Sequence, residues 1–340
     1  MKVLVTGATG YVGHNLALTL AQNGNDVHVL VRNPRSAFIP QHPLIKVFAG
    51  DITKMETILP AIINCEVVYH TAALVQFCSI KPINFYDINV EGTRNMLNAA
   101  LHSGVNKFVF TSTAGVLGPS LNKEMSEDDP RIIGFNNDYD LSKFLAEKLV
   151  KEYAELGLHT VIATSTKVFG PGIETHQLSV NSVIRRFIAG QVSFCPSPFG
   201  FISNYVFIDD LVNGHLLAAA KGRKGEKYII GGENFSYKDF FEKLRTVSGQ
   251  KGIIVPMSKT VAGIYGSWHF IQHRLMGKDP FINSKAVTQI YCNKAFTPAK
   301  AIGELGYIIT PFTTALQKTI HSLKIEMYAK QSLYPDYRVQ

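Results

Sequence analysis

Cysteine is scarce: 340 residues hold four, Cys65, Cys78, Cys195 and Cys292, with no C-x-x-C pair and no histidine-rich neighbour. That excludes a disulfide framework and the spacing of a structural zinc site, so free thiols, no metal centre and a reducing, cytoplasmic location are expected. Long apolar runs are missing too. The most apolar late stretch, Ile253 to Met276, is interrupted by Pro256, Ser258, Lys259 and His269. It falls short of a membrane span and reads as a lid or substrate-facing segment. Strand-like Val3-Leu4-Val5 follows a single Lys2, which leaves no room for a charged region, an apolar region and a cleavage site, so secretion is not expected. Runs of like charge are absent although the net charge is +8. Scattered basic residues argue against nucleic-acid binding, while a positive surface suits phosphorylated cofactors and anionic substrates.

A 46% hydrophobic and 18% charged composition provides for a large core, and the length provides for a second lobe. Short Val- and Ile-rich runs at Lys2 to Thr6, Asp26 to Val31, Ile45 to Phe48, Val67 to His70, Lys107 to Thr111 and Thr160 to Ala163 alternate with helical segments. The helical segments include Tyr11 to Asn23, Asn84 to Ser103 and Asn137 to Leu156, the first and last stopping near Gly24 and Gly157. This rhythm predicts an α/β fold, a Rossmann-type doubly wound parallel sheet. After Gly170-Pro171-Gly172 the alternation fails, and Phe194 to Phe201 reads as a connecting loop. A strand at Tyr205 to Ile208, a helix to Lys221 and a strand at Lys227 to Ile230 read as a return to the sheet. The expected division is therefore discontinuous: residues 1–168 plus 203–231 form a dinucleotide-binding domain, and 169–202 plus 232–340 a smaller substrate lobe.

Thr6-Gly7-Ala8-Thr9-Gly10-Tyr11-Val12-Gly13 lies directly after the first strand and opens the first helix. Gly7 permits the tight turn, Gly10 lets the backbone approach a pyrophosphate, and Gly13 lets the helix pack against the sheet. The free N–H groups of the helix start attract the anion, so Gly7, Thr9, Gly10, Tyr11, Val12 and Gly13 are candidate cofactor contacts. At the end of the second strand, where an acidic residue would hold the ribose of NAD, stand Val31-Arg32-Asn33-Pro34-Arg35. A guanidinium matches a 2′-phosphate bidentately, so Arg32, with Arg35 as a second donor, favours NADP over NAD. Asp51 and Ile52 after the third strand have two readings, adenine contacts or a helix cap.

Tyr139 and Lys143 are spaced i and i+4, on one face of a helix announced by Asn136-Asn137-Asp138. A neighbouring ammonium favours tyrosinate and so makes the phenol a usable proton donor or acceptor. With 14 tyrosines in the chain, that spacing alone is expected about once by chance. Its surroundings give it meaning, because the chain resembles the extended short-chain dehydrogenase/reductase family, in the NAD-dependent epimerase/dehydratase superfamily, over nearly its whole length. The signposts run in order: the T-G-x-x-G-x-x-G turn, Gly50-Asp51-Ile52, His70-Thr71-Ala72-Ala73, Asn89-Val90-Glu91-Gly92-Thr93, Thr111-Ser112-Thr113, Tyr139 with Lys143, Phe169-Gly170-Pro171-Gly172 and Phe207-Ile208-Asp209-Asp210.

The resemblance implies a triad: Thr113 binds the substrate oxygen, Tyr139 exchanges the proton, and Lys143 also holds the nicotinamide ribose. It adds Thr71, Ala72 and Ala73 to the cofactor contacts, and Asn89 either as an ordering residue of the site or as a helix-packing residue. Thr164-Ser165 stand where the family usually has a proline shaping the nicotinamide pocket, which makes Ser165 an atypical contact. Ser203 stands where sugar-nucleotide members carry a diphosphate-binding arginine, and Ala114-Gly115 replace the carboxylates that a dehydratase needs. The nearest likeness is to the dihydroflavonol-reductase-like and 3β-hydroxysteroid-dehydrogenase-like branch. It implies NADPH-dependent reduction of an aldehyde or ketone, a small-molecule carbonyl or alcohol substrate of apolar character, with Tyr265, Trp268 and Phe270 read either as its lining or as the small lobe's own core. The rival functions are an NAD-dependent sugar epimerase and a non-catalytic dinucleotide-binding sensor or scaffold. A homodimer through Asn89 to Ser103 and Asn137 to Leu156 is the family expectation.

Overall fold

The computed structural model describes residues 1–75, 83–121, 123–173, 179–276, 287 and 289–333. Cys78 lies outside them. Seven strands form one sheet in the order β10-β6-β5-β4-β1-β2-β3. They are β1 (Lys2–Thr6), β2 (Asp26–Val31), β3 (Ile45–Ala49), β4 (Val67–His70), β5 (Lys107–Thr113), β6 (Thr160–Ser165) and β10 (Lys227–Ile230). All six pairings are parallel. Parallel strands covered on both faces read as continuous apolar runs, which is why β1, β4 and β6 are buried almost end to end.

Val3, Val5, Val27, Val29, Tyr69, Val109 and Val161 point to one face, where α1 (Tyr11–Gln22) and α7 (Ile208–Lys221) bury Leu16, Leu20, Leu211 and Ala218. Leu4, Leu30, Val68, Phe108, Phe110 and Ile162 point to the other, against α2 (Met55–Ile62), α4 (Gly92–His102) and α5 (Asp138–Glu155). Between α3 (Ile83–Tyr86) and α4 a π-helical turn, Asp87–Glu91, places Asn89 inside the protein. Helices α1 and α5 end one residue before the expected Asn23 and Leu156, and Gly24 and Gly157 follow with positive φ.

Beyond this sheet, β7 (Lys167–Phe169), β9 (Ile202–Phe207) and β11 (Glu233–Ser236) form a three-stranded sheet, and β8 (Val192–Pro196) pairs in parallel with β12 (Ile253–Met257). Helices α6 (Val180–Ile188), α8 (Tyr237–Ser248) and α10 (Phe312–Leu333) share an aromatic core with these strands through Phe187, Tyr205, Phe240 and Phe312. The expectation of a loop over Phe194 to Phe201 is corrected at its start. Ser193 and Cys195 are buried while Val192 and Phe194 are exposed, a strand alternation hidden by local Pro and Gly and completed by a partner strand distant in sequence. Ile253 to Met276 divides into β12 and α9 (Lys259–Leu275). Tyr265 and Trp268 lie more than half exposed there, so they are not core residues.

Candidate active site

The turn after β1 is held from the side by the end of β4. Thr71 Oγ1 donates to the Thr6 carbonyl at 2.6 Å, and the Ala72 N–H donates to Thr6 Oγ1 at 3.2 Å. Gly7 has φ +76°, and a Cβ there would stand 2.7 Å from the Ala72 nitrogen. A Cβ on Gly13 would stand 2.4 Å from the Gly7 carbonyl oxygen. The backbone is thus as close as atoms allow, and α1 opens with no side-chain cap and no acidic residue in its first turn. Its positive end is left for an external anion, so the donor set fits a dinucleotide pyrophosphate. The Tyr11 hydroxyl is taken up within the protein, donating to the Gly170 carbonyl at 2.7 Å. Ala73 follows Ala72 in the partly buried stretch after β4, and Thr9 is also partly buried.

Arg32 and Arg35 are exposed just beyond β2, and neither enters an ion pair among the described residues. Asp51 resolves partly toward the local reading: its Oδ1 accepts from the Thr53 N–H and hydroxyl, both at 2.9 Å, in the turn before α2. Ile52 is buried in the α2/α4 layer against Gly92.

Helix α5 is capped by Asn137, whose Oδ1 accepts from the Asp140 N–H at 2.6 Å. One turn in, Lys143 is 2% exposed, with Nζ 3.9 Å from the centroid of the Phe110 ring. Burial lowers its ammonium to about 7, against the pull of Glu147. Tyr139 is pushed well above its ordinary value by burial and by the adjoining Asp140. The expected lowering by Lys143 is absent here: burial and the Asp140 charge are what act on the phenol. Asp140 in turn lies against Gly115, its carboxylate so close that no Cβ would fit there.

Thr113 and Ser112 end β5 on opposite faces. Ser112 continues the inward row of Phe108 and Phe110, and its buried hydroxyl has no partner among the described residues. Thr113 is only half-buried, and its Oγ1 accepts from the Gly115 N–H at 3.2 Å. Thr113 is thus the more accessible hydroxyl. Ser165 pairs across from it, its Oγ donating to the Ser112 carbonyl at 3.2 Å.

A buried chain of hydrogen bonds joins the two halves of this site. Asn89 accepts from the Leu74 N–H at 2.7 Å and donates to the Leu74 carbonyl at 3.1 Å and to Ser142 Oγ at 2.9 Å. Ser142 donates onward to the Tyr139 carbonyl at 2.8 Å. Thr93 donates to the Asn89 carbonyl at 2.7 Å, so it can only accept from His70 Nε2 at 3.0 Å. His70 Nδ1 is then the acceptor for Thr6 Oγ1 at 2.7 Å. Burial and the nearby Lys143 charge lower His70 to about 3, which keeps this single neutral tautomer. Asn89 thus ties the stretch after β4 to α5.

Sequence reasoning missed Lys167, at the start of β7. Its Nζ donates to Ser203 Oγ at 2.8 Å and to the Tyr237 hydroxyl at 3.2 Å, and burial lowers it to about 8. The available signal was a lone lysine inside a strand-like run, Lys167-Val168-Phe169. A separate cavity of about 480 Å³, whose lining includes Glu127, Arg223, Glu226, Lys300 and Glu304, pairs Arg223 with Glu304 and Lys300 with Glu226, and has none of the Tyr139 group in its wall.

The family model described as "NAD dependent epimerase/dehydratase family" matches residues 3–231. The 3-beta-hydroxysteroid dehydrogenase of Mycolicibacterium neoaurum is 29% identical over 321 residues, covering 90% of this chain and 86% of its own. Sterol demethylase protein B of Methylococcus capsulatus is 30% identical over 253 residues, 73% of this chain and 75% of its own. Among solved structures, a Thermus thermophilus UDP-glucose 4-epimerase in complex with NAD superposes with a TM-score of 0.76 at 21% identity, covering 95% of this chain and 99% of that one. That likeness is one of fold.

Proposed function

Because this chain belongs to the NAD-dependent epimerase/dehydratase family and is an oxidoreductase, we propose that it reduces an aldehyde or ketone at the expense of NADPH. The bound nicotinamide supplies the hydride, and the Gly7 to Gly13 turn, Thr71, Ala72, Lys143 and Ser165 are the residues that would hold the dinucleotide. Thr113 orients the substrate oxygen. Tyr139, whose burial keeps its proton at neutral pH, donates that proton as negative charge develops on the oxygen, and Lys143 beside it tunes the transfer. The observation that carries the reading is this protonated phenol one helical turn from a buried lysine, on the helix that Asn89 fastens to the dinucleotide turn. Arg32 and Arg35, exposed and without carboxylate partners among the described residues, support NADP as the cofactor. The steroid and sterol names of the relatives above support a large apolar substrate.

The test begins with fluorescence titration of the purified protein with NADPH and NADH. Oxidation of bound NADPH is then followed with ketosteroids and long-chain aldehydes. Turnover that falls about 10²- to 10⁴-fold in Tyr139→Phe, with NADPH affinity unchanged, is the expected result. Full turnover in that variant would remove Tyr139 from the chemistry, and NADH bound in preference to NADPH would remove the cofactor assignment.

A further inference from the structure

Helix α9 rests on the small lobe along one edge and leaves a broad apolar face in solvent. Its buried residues are Ala262, Gly266 and His269, and Ala262 packs in a cluster with Val287 and Tyr291 that Phe201 and Met257 close. At about 100° per residue, Val261, Ile264, Tyr265, Trp268, Ile271 and Leu275 fall in one stripe about 120° wide, to one side of that edge. Each of the six is between 51% and 84% exposed. Gln272 is the single polar side chain within the arc, and it is partly covered. Tyr265 and Trp268 stand side by side in the stripe, with ring centroids 6.5 Å apart. From residue 251 to 276 the chain holds no Asp or Glu, whereas Lys251, Lys259 and Arg274 are exposed.

A continuous apolar stripe held in water is costly and marks a contact surface. Charge decides what kind of contact. Two copies packed antiparallel through α9 would set Lys259 against Arg274 across the interface, with no carboxylate on that face to offset the repulsion. An anionic lipid surface supplies what the face lacks: acyl chains for the stripe, phosphates for Lys259 and Arg274, and an interfacial zone that favours Tyr and Trp rings. Val261 to Leu275 spans about 21 Å, short of the roughly 30 Å hydrocarbon core. No helix among the described residues is long and apolar enough to cross a membrane, so the geometry available to α9 is to lie in the plane of the interface.

We propose that α9 is a membrane-docking helix: it lies flat on an anionic bilayer with the Val261 to Leu275 stripe among the acyl chains and Lys259 and Arg274 at the level of the headgroups. The protein is then bound to the bilayer surface through its small lobe. The surface is independent of the assignment of Tyr139 and Lys143 above.

Trp268 is the only tryptophan in the chain, so its fluorescence reports on this helix alone. The full chain is sedimented with vesicles of phosphatidylcholine and with vesicles of phosphatidylcholine mixed with phosphatidylglycerol, and Trp268 emission is followed with lipids brominated on their acyl chains. The expected result is stronger binding to the phosphatidylglycerol vesicles, a shift of Trp268 emission to shorter wavelength, and quenching by the brominated chains. Ile264→Asp and Ile271→Asp should each weaken vesicle binding about tenfold or more with an unchanged melting temperature, since both side chains are exposed. Lys259→Glu should bring binding to phosphatidylglycerol vesicles down toward the phosphatidylcholine level. No binding to either vesicle, equal binding to both, bound protein with unquenched Trp268, or binding that survives both aspartate substitutions overturns the proposal. Light scattering that shows a two-chain mass in the wild type and a one-chain mass in Ile271→Asp would assign the stripe to a second copy and overturn it too. Because these measurements need no turnover, a failed reductase assay and a failed docking surface are separate outcomes.

Discussion

Lys143 and Lys167 are the residues whose burial has the clearest thermodynamic consequence. Their ammoniums are lowered to about 7 and about 8 in the folded chain, whereas unfolding returns them to the ordinary lysine value near 10.4. Between about pH 7 and 10.4 the unfolded chain therefore binds more protons, and stability contributed by these two groups rises with pH through that window. Urea denaturation at pH 7 and pH 9.5 should show this gain in the cofactor-free protein and a smaller one in Lys143→Met. An equal gain in both proteins would mean that Lys143 is well solvated. At the end of β2, Arg32 offers a test with the opposite character, since it is exposed and its replacement should not disturb folding. Arg32→Asp should lower the ratio of NADPH to NADH affinity by tenfold or more, read by fluorescence titration, because the new carboxylate repels a 2′-phosphate and accepts from a ribose hydroxyl.

Among the elements, the β1-turn-α1 unit depends most directly on missing side-chain atoms. Gly13→Ala puts a methyl group 2.4 Å from the Gly7 carbonyl and 2.5 Å from Thr71 Oγ1. Its cost is about 1–3 kcal/mol from overpacking, together with a loss of dinucleotide affinity, since α1 must move off the sheet. Differential scanning calorimetry and NADPH titration measure the two effects, and an unchanged melting temperature would show that the helix shifts freely. The glycine spacing made this unit legible in the sequence. The π-helical turn at Asp87–Glu91 was not legible, because an extra residue per turn leaves a helical pattern of polar and apolar residues intact while rotating Asn89 inward.

Across the whole molecule, the chain's passage from β10 in the large sheet to β11 in the three-stranded sheet is held by an asparagine on β9. Asn204 accepts from the Gly232 N–H and donates to the Gly232 carbonyl, both at 2.8 Å, and donates to Asn234 Oδ1 at 2.9 Å. Removing it strands the Gly232 backbone groups beside β9, so Asn204→Leu should cost about 2–3 kcal/mol. Urea unfolding reads that loss, and a change under about 0.5 kcal/mol, the range of an ordinary surface substitution, would show that the Gly232 groups find other partners. The sequence determined the parallel sheet, because apolar strand runs alternating with amphipathic helices bury their faces in few other ways. It also determined the dinucleotide turn and the Tyr139 to Lys143 spacing, which are local in the chain and need only one turn or one helix to take shape. Only the tertiary structure decided that β8 is a strand, that His70 and Asn89 join the turn after β1 to α5, and that Lys167 meets Ser203 and Tyr237. Each of those depends on partners far apart in sequence, and burial, which sets their hydrogen bonds and their charge, exists only once those partners have come together.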